Sequence, residues 1–261
     1  VKQRLLVLAP PLAAVVFSLI VSAIVLAISG ANPVEAFGNV AEYGSRVNTL
    51  VETLNWATPL YLSAIAVAIG FRMNLFNIGV EGQYILAAFI AAQVGSMLRL
   101  PPVLHVGAIM VVAMLVGAFW AGLSGVMKVT RNVHEVISTI MLNGIAVGGV
   151  VSYLLGRWDV PDEGLDTALA DIPESGWFPS LSPAFETLTG QTTRSQLWGF
   201  VLVAVAVGIA YHYFMNRTRF GFDLRASGAN ATAAEASGVD PKKTIVMAMV
   251  LSGLIAGLVG L

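Results

Sequence analysis

The chain reads as an all-α, polytopic transmembrane helical bundle. Three observations predict that class. Of its 261 residues 57% are hydrophobic and 11% are charged, whereas a soluble domain carries about 25% charged residues. Its mean hydropathy is +0.80. Several apolar runs approach or exceed the roughly 20 residues that a helix needs to cross a bilayer. The short alternating segments of a β-barrel are missing from the sequence.

The first span runs from about Leu5 to Ile28, with Pro10 and Pro11 near its start, where a kink is tolerable. Gly30, Asn32 and Pro33 end it. Between Val34 and Trp56 apolar residues recur among polar ones, which predicts one or two amphipathic helices on the membrane surface. A second span starts at Ala57. A third covers Tyr84–Leu98, and Pro101–Pro102 turn the chain into the long span Val103–Met127. Glu135–Leu155 and Leu197–Met215 span again, and Thr244 starts a further span. The chain begins at Val1 rather than Met and stops inside an apolar run at Leu261. A single transmembrane domain over 1–261, cut from a longer protein, is therefore expected.

Charge orients the spans. With the N-terminus inside, Lys2, Arg4, Arg72, Lys128, Arg131, Arg217, Arg219, Arg225, Lys242 and Lys243 fall inside. Arg46, Arg99, Arg157 and Arg194 fall outside, a bias of ten to four that follows the positive-inside rule. The loop 156–196 then lies outside, and it is acidic: Asp159, Asp162, Glu163, Asp166, Asp171, Glu174 and Glu186. The loop 216–243 lies in the cytoplasm.

Between the second and third spans lies Gly70–Tyr84, and the apolar runs on either side of it are short. It carries Arg72, Asn74, Asn77, Glu81 and Gln83, loosened by Gly70, Gly79 and Gly82. A charge at a helix centre in lipid costs about 2.5–3.5 kcal/mol on insertion scales, so such groups face protein, water or each other. Two readings stay open. Either a discontinuous, re-entrant element brings polar groups to a central cavity, or a short cytoplasmic turn joins two spans. Asn143, in mid-span, needs a partner as well. It serves a solute or ties two helices, and the tie is the favoured reading.

In the second polar stretch Asn230 is a good N-cap, Ala231–Ser237 is strongly helical and Gly238 suits the C′ position. Asp240-Pro241 caps and starts the next span. The short alanine-rich helix has little to bury within its own chain. It suits docking into a groove on a soluble partner or resting on headgroups. Small residues repeat at i+4 in three spans: Gly144, Gly148 and Ser152; Ala118 and Gly122, with Ala121 and Gly125; Gly253 and Gly257. Packing within the chain is the expected use, and a dimer face the alternative.

Several function classes drop out. There is no HExxH, nucleophile elbow or Walker A loop, and His105, His134 and His212 are far apart in sequence. Neither an enzyme nor a metal or cofactor site is expected. With no cysteine there are no disulfides, and a net charge of −1 gives no reason to expect nucleic acid. A transporter or channel remains.

Four stretches carry a resemblance. The first is Glu52-Thr53-Leu54 with Ala57-Thr58-Pro59-Leu60. The second is Phe71-Arg72 with Leu75-Phe76-Asn77-Ile78-Gly79-Val80-Glu81-Gly82-Gln83. The third is His134–Asn143, and the fourth is Gly221-Phe222, Leu224-Arg225-Ala226, Gly228, Asn230, Ala233-Ala234 and Gly238-Val239. Together they resemble permease subunits of bacterial ABC importers, in the nucleoside and simple-sugar branch fed by basic-membrane-protein lipoproteins. Ribose and branched-chain amino-acid permeases are related. The resemblance implies a multi-pass subunit of the bacterial plasma membrane that moves a nucleoside or simple sugar. It implies three partners: a cytoplasmic ATP-binding subunit, a second permease subunit (alike or paralogous) and an extracytoplasmic binding lipoprotein. It places Asn74–Gln83 near the solute pathway. Arg72, Asn74, Asn77, Glu81, Gln83 and Asn143 are the candidate pathway residues, and Arg72 is expected to pair with Glu81, which lowers their joint cost. It makes 216–243 the coupling loop, with Arg225, Gly228, Asn230, Ala233, Ala234, Glu235 and Gly238 meeting the ATPase. The rival is an ion-coupled secondary transporter of a small polar solute, for which only Arg72 and Glu81 offer titratable groups in the path.

Overall fold

The computed structural model describes residues 2–158 and 169–261, so Asp159, Asp162, Glu163 and Asp166 of the acidic loop lie outside the described residues. Helices dominate, with one isolated bridge between Ser180 and Trp198 among the described residues. In chain order they are α1 (Lys2–Ile28), α2 (Pro33–Ser45), α3 (Val47–Phe71), α4 (Val80–Met97), α5 (Pro102–Arg131) and α6 (Glu135–Gly144). Then follow α7 (Ser152–Trp158), α8 (Ser182–Thr189), α9 (Phe200–Arg217), α10 (Arg219–Ala229), α11 (Ala231–Ala236) and α12 (Pro241–Gly257). A π-helical segment, Ile145–Val151, joins α6 to α7. Among the described residues six stretches are long and apolar enough to cross a membrane: Ala9–Ile28, Val47–Phe71, Pro102–Arg131, Glu135–Trp158, Phe200–Arg217 and Pro241–Gly260. The protein is a multi-pass membrane protein. The 18-residue α4 is not one of the six.

Capping residues set several boundaries. Asn32 accepts from Val34 N–H ahead of Pro33, and Asp240 accepts from the N–H groups of Lys242 and Lys243 ahead of Pro241. Asn132, at φ 54°, ends α5 in the left-handed conformation that asparagine tolerates. Two boundaries differ from expectation. The second span does not start at Ala57: α3 is continuous from Val47. No breaker separates the amphipathic turns from the apolar ones, and Pro59 is absorbed inside the helix. The third span starts at Val80 rather than Tyr84, so Glu81 sits in the first turn of α4, where a carboxylate suits the helix dipole.

The bundle is built around α12. Gly117 of α5 meets Gly253, and Gly257 meets Ala113, so closely that a Cβ on either glycine would collide with a backbone carbonyl oxygen. The small-residue repeats of α5 and α12 thus pack against each other, as expected. The third repeat does not: Gly144, Gly148 and Ser152 are exposed, with nothing near the two glycines. The π-helical turns there change the register of the face that α6 offers the bundle. α1 leans on α2, and none of the residues Ala9–Ile28 is buried.

The contacts sort the loops onto two ends. At one end Asn48, Glu52 and Asn55 of α3 hold residues 194–198 by hydrogen bonds. His105, fully buried, bonds the carbonyl of Gly95 and the hydroxyl of Ser175 there. At the other end Ile69, Met73, Leu75, Met215 and Leu224 form one cluster with Ala248 and Met249. This places residues 70–77, α10 and the start of α12 together.

Candidate functional site

The stretch Gly70–Tyr84 is where the bundle departs from plain up-and-down helices. α3 stops at Phe71, and Asn74 adopts φ 53°. The Asn74 amide donates to the carbonyl of Gly228, at the end of α10. The chain then turns back into the bundle. Three residues later Asn77 is 98% buried and donates to Ser252 Oγ at 2.8 Å. Ser252 lies eleven residues after Pro241, about 16 Å along α12 at 1.5 Å per residue. The first turn of α4 is equally deep: Gly82 N–H donates to Asn143 Oδ1, eight residues or about 12 Å up from the start of α6. A helix therefore begins well inside the bundle, which is the discontinuous element expected from the sequence.

A closed set of hydrogen bonds holds that start in place. Asn77 Nδ2 donates to Gln83 Oε1 at 3.1 Å, and Gln83 Nε2 returns a bond to Asn77 Oδ1 at 2.9 Å. Asn77 Oδ1 also accepts from Gly79 N–H. Ser252 Oγ passes the chain of bonds on to the carbonyl of Ala66 in α3, at 2.6 Å. Asn143 accepts from Gly82 N–H and donates to the carbonyl of Ile78. Asn77, Gln83 and Asn143 thus satisfy one another and the backbone, as buried polar groups must. Asn143 thus ties the start of α4 to α6. The clamp also recruits Ser252, whose only sequence signal is a polar residue in an apolar span.

The charged residues behave differently. Arg72, Asn74 and Glu81 are exposed, whereas Asn77 and Gln83 are buried. Arg72 and Glu81 do not form an ion pair: the pairs among the described residues are Glu42–Arg46, Lys128–Glu135 and the contact of His134 with Glu135. Arg72 follows the last residue of α3 and Glu81 lies in the first turn of α4, so the two do not share a helix face. The buried pair is instead Lys128 with Glu135, at 2.5 Å across the α5–α6 turn, with Glu135 97% buried. Glu81 is left exposed on the surface of the bundle. It lies beside exposed Ile78 and Phe76.

The candidates of loop 216–243 lie on α10, α11 and the turns around them. The sequence predicted only the short helix, and α10 was missed, although Thr218 caps it by accepting from Gly221 N–H. Asn230 caps α11 by accepting from Ala233 N–H, and Gly238 takes φ 84°. Ala233, Glu235 and Gly238 are exposed, but Ala234 is 96% buried. The short helix therefore does bury one face within its own chain, against α10 and α12, and presents the other. Gly228 is pressed onto the backbone of Arg72 and Met73, and Arg225 is half-buried.

Comparison with known proteins fits this arrangement. The family described as branched-chain amino acid transport system / permease component matches residues 49–261. The guanosine ABC transporter permease protein NupP of Bacillus subtilis is 33% identical over 99% of this chain and 72% of its own length. The nucleoside ABC transporter permease protein NupB of Lactococcus lactis is 28% identical over 96% of this chain and 68% of its own. The glucose ABC transporter permease protein TsgB13 of Haloferax volcanii is 30% identical over 96% of this chain and 66% of its own. No solved structure matches the chain. The match over 49–261 takes in the re-entrant stretch, the α10–α11 loop and α12, and by it this chain belongs to the family of branched-chain amino acid transport system permease components.

Proposed function

We propose that the chain is the membrane-spanning permease of an ATP-driven importer for a nucleoside or simple sugar. The observation that carries the reading is Glu81: an exposed carboxylate at the deep-set start of α4 with no ion-pair partner among the described residues. Lipid is a costly neighbour for such a charge, so a water-filled path or a facing subunit lies beside it. Broken helices at mid-depth are where membrane transporters place their solute sites. The solute class follows the relatives, which are named for guanosine, nucleosides and glucose.

In this reading a second permease subunit faces Glu81 and completes the pathway. Loop 156–196 lies outside the cell and meets a binding lipoprotein. Loop 216–243 lies in the cytoplasm, where the exposed face of α11 meets the ATPase. The subunit sits in the bacterial plasma membrane with its N-terminus inside. Arg72 and Glu81 border the path, while Asn77, Gln83 and Asn143 hold its wall. The ATPase drives transport by favouring one conformation through differential contacts.

Two measurements test the reading. Inverted and right-side-out vesicles carrying the complete importer are assayed for ATP-dependent uptake of labelled guanosine and glucose. Uptake of neither solute, or uptake indifferent to ATP, overturns the reading. For orientation, single cysteines are placed at Leu188 and Thr232, both exposed. The first is expected to react with an impermeant thiol reagent in intact cells, the second only after permeabilisation. The chain's lack of native cysteine keeps the background clean.

A further inference from the structure

A cavity of about 730 Å³ opens at the end opposite the α10–α11 loop. Its size suits a small-molecule site, for which about 300–1,000 Å³ is usual. Its walls are aromatic: Trp56 from α3, Trp177 and Phe178 from the loop before α8, and Trp198 and Phe200 at the start of α9. Tryptophan often marks a membrane interface, but a belt spreads its rings around the rim. Here Trp56, Trp177 and Trp198 all line one hollow.

The walls are also built rather than loose. Gly199 N–H donates to the carbonyl of Pro179 at 2.9 Å and Leu181 N–H to that of Leu197 at 2.7 Å. Together they clamp the two aromatic segments side by side. Trp198 N–H is further tied to Asn55 Oδ1, next to Trp56, and Trp177 Nε1 donates to the carbonyl of Ile172. Phe178 and Phe200 pack with centroids 4.9 Å apart. Trp56 is 76% exposed and Trp198 39% exposed, so both rings remain accessible to a solute. Its floor includes Ala88 and Ala92 of α4. Those residues follow Glu81 by seven and eleven positions, so all three fall on one face of the helix, each alanine within about 20° of Glu81. One α4 face thus runs from the deep carboxylate to the aromatic hollow.

We propose that this cavity receives the transported solute and selects nucleosides, whose planar base stacks on Trp56 and Trp198. The proposal rests on the transport reading above. Stacking of a base on an aromatic side chain contributes about 1–3 kcal/mol, or roughly 5- to 150-fold in affinity. The small residues Ala88 and Ala92 leave room for the ring.

The test uses vesicles with the complete importer and labelled guanosine. Trp56→Ala and Trp198→Ala are each expected to raise KM at least tenfold at unchanged maximal rate per assembled complex. Trp56→Phe and Trp198→Phe, which keep a stacking face, are expected to stay within about threefold. Ala92→Leu fills the floor without touching an aromatic wall and is expected to raise KM as the Ala variants do, which covers the case of an Ala variant that fails to assemble. Unchanged KM in Ala92→Leu, or equal losses in the Phe and Ala variants, overturns the site while wild-type uptake upholds the transport reading. Wild-type vesicles that take up no nucleoside with ATP overturn the transport reading, and this site with it.

Discussion

Asn74 donates its side-chain amide to the carbonyl oxygen of Gly228 at 2.8 Å, joining segments 154 residues apart. The bond connects the end of α10 to the turn that leads into the buried clamp. Gly228 makes the contact close: a Cβ there would collide with the carbonyl oxygen of Arg72 and lie 2.8 Å from Met73 Cα. A displacement of α10 is therefore expected to press on the turn before α4 through backbone contact as well as through the Asn74 side chain.

Asn74→Gly keeps the positive φ and removes only the bond, at a cost of about 0.5–1.5 kcal/mol. Gly228→Ala forces the two backbones apart and is expected to cost about 1–3 kcal/mol. Both variants are expected to assemble and bind the ATPase. Solute-stimulated ATP hydrolysis per complex is expected to fall about two- to tenfold in the first and further in the second. Full stimulation in Gly228→Ala would show that motion takes another route.

The clamp makes the next prediction. Asn77→Ala leaves Gln83 Nε2 and Gly79 N–H buried without a partner, at about 1–3 kcal/mol for each stranded group. The melting temperature of the purified complex is expected to fall by about 2–4 °C per kcal/mol in a chain of this size. Uptake KM is expected to stay within about twofold. A rise in KM without loss of melting temperature would return Asn77 to the solute pathway.

These residues also mark how far the sequence could be read. The class, the span order and the caps at Asn230 and Asp240 follow from local signals: apolar run length, capping side chains and the Pro-Gly punctuation. The polar cluster at Arg72–Gln83 was visible for the same reason, since charge inside an apolar chain stands out. What each polar residue does was not legible. Asn77 and Glu81 are four positions apart, yet one is sealed against α12 and the other is exposed. That difference depends on Ser252 and Asn143, which are 175 and 66 positions from Asn77 in the chain. The Arg72–Glu81 pair was expected from proximity in sequence, but the non-helical turn between α3 and α4 puts the two on different helices. α10 was missed because its glycines and charges gave it weak helical propensity; packing of Leu224 into the bundle supplies what propensity does not.

Lys128 and Glu135 give a third prediction. Glu135 is 97% buried and its partner is 26% exposed in its side chain. Breaking a buried pair from one side costs about 3–5 kcal/mol, and the partial exposure of Lys128 puts this case at the lower end. Glu135→Gln is expected to reduce membrane abundance and lower the unfolding temperature. Lys128→Met with Glu135→Met, which removes both charges, is expected to recover most of the loss. Additive losses in the double variant would show that each residue acts alone.

The two alanines of α11 separate folding from coupling. Ala234 is 96% buried against α10 and α12, while Ala233 beside it is exposed. An arginine at 234 has to bury a charge or push the helix off the bundle, so Ala234→Arg is expected to reduce the amount of folded subunit. An arginine at 233 points away from the bundle and is expected to leave abundance and melting temperature unchanged. If the outer face of α11 sits in a groove of the ATPase, that same charge is buried on assembly. Ala233→Arg is then expected to lose ATPase pull-down at least tenfold and ATP-driven uptake with it. Glu235→Ala on the same exposed face removes a charge without adding bulk and is expected to weaken pull-down less. Normal pull-down by Ala233→Arg, with Ala234→Arg reduced only in abundance, would move the coupling contact away from α11, onto the exposed part of α10 around Phe222.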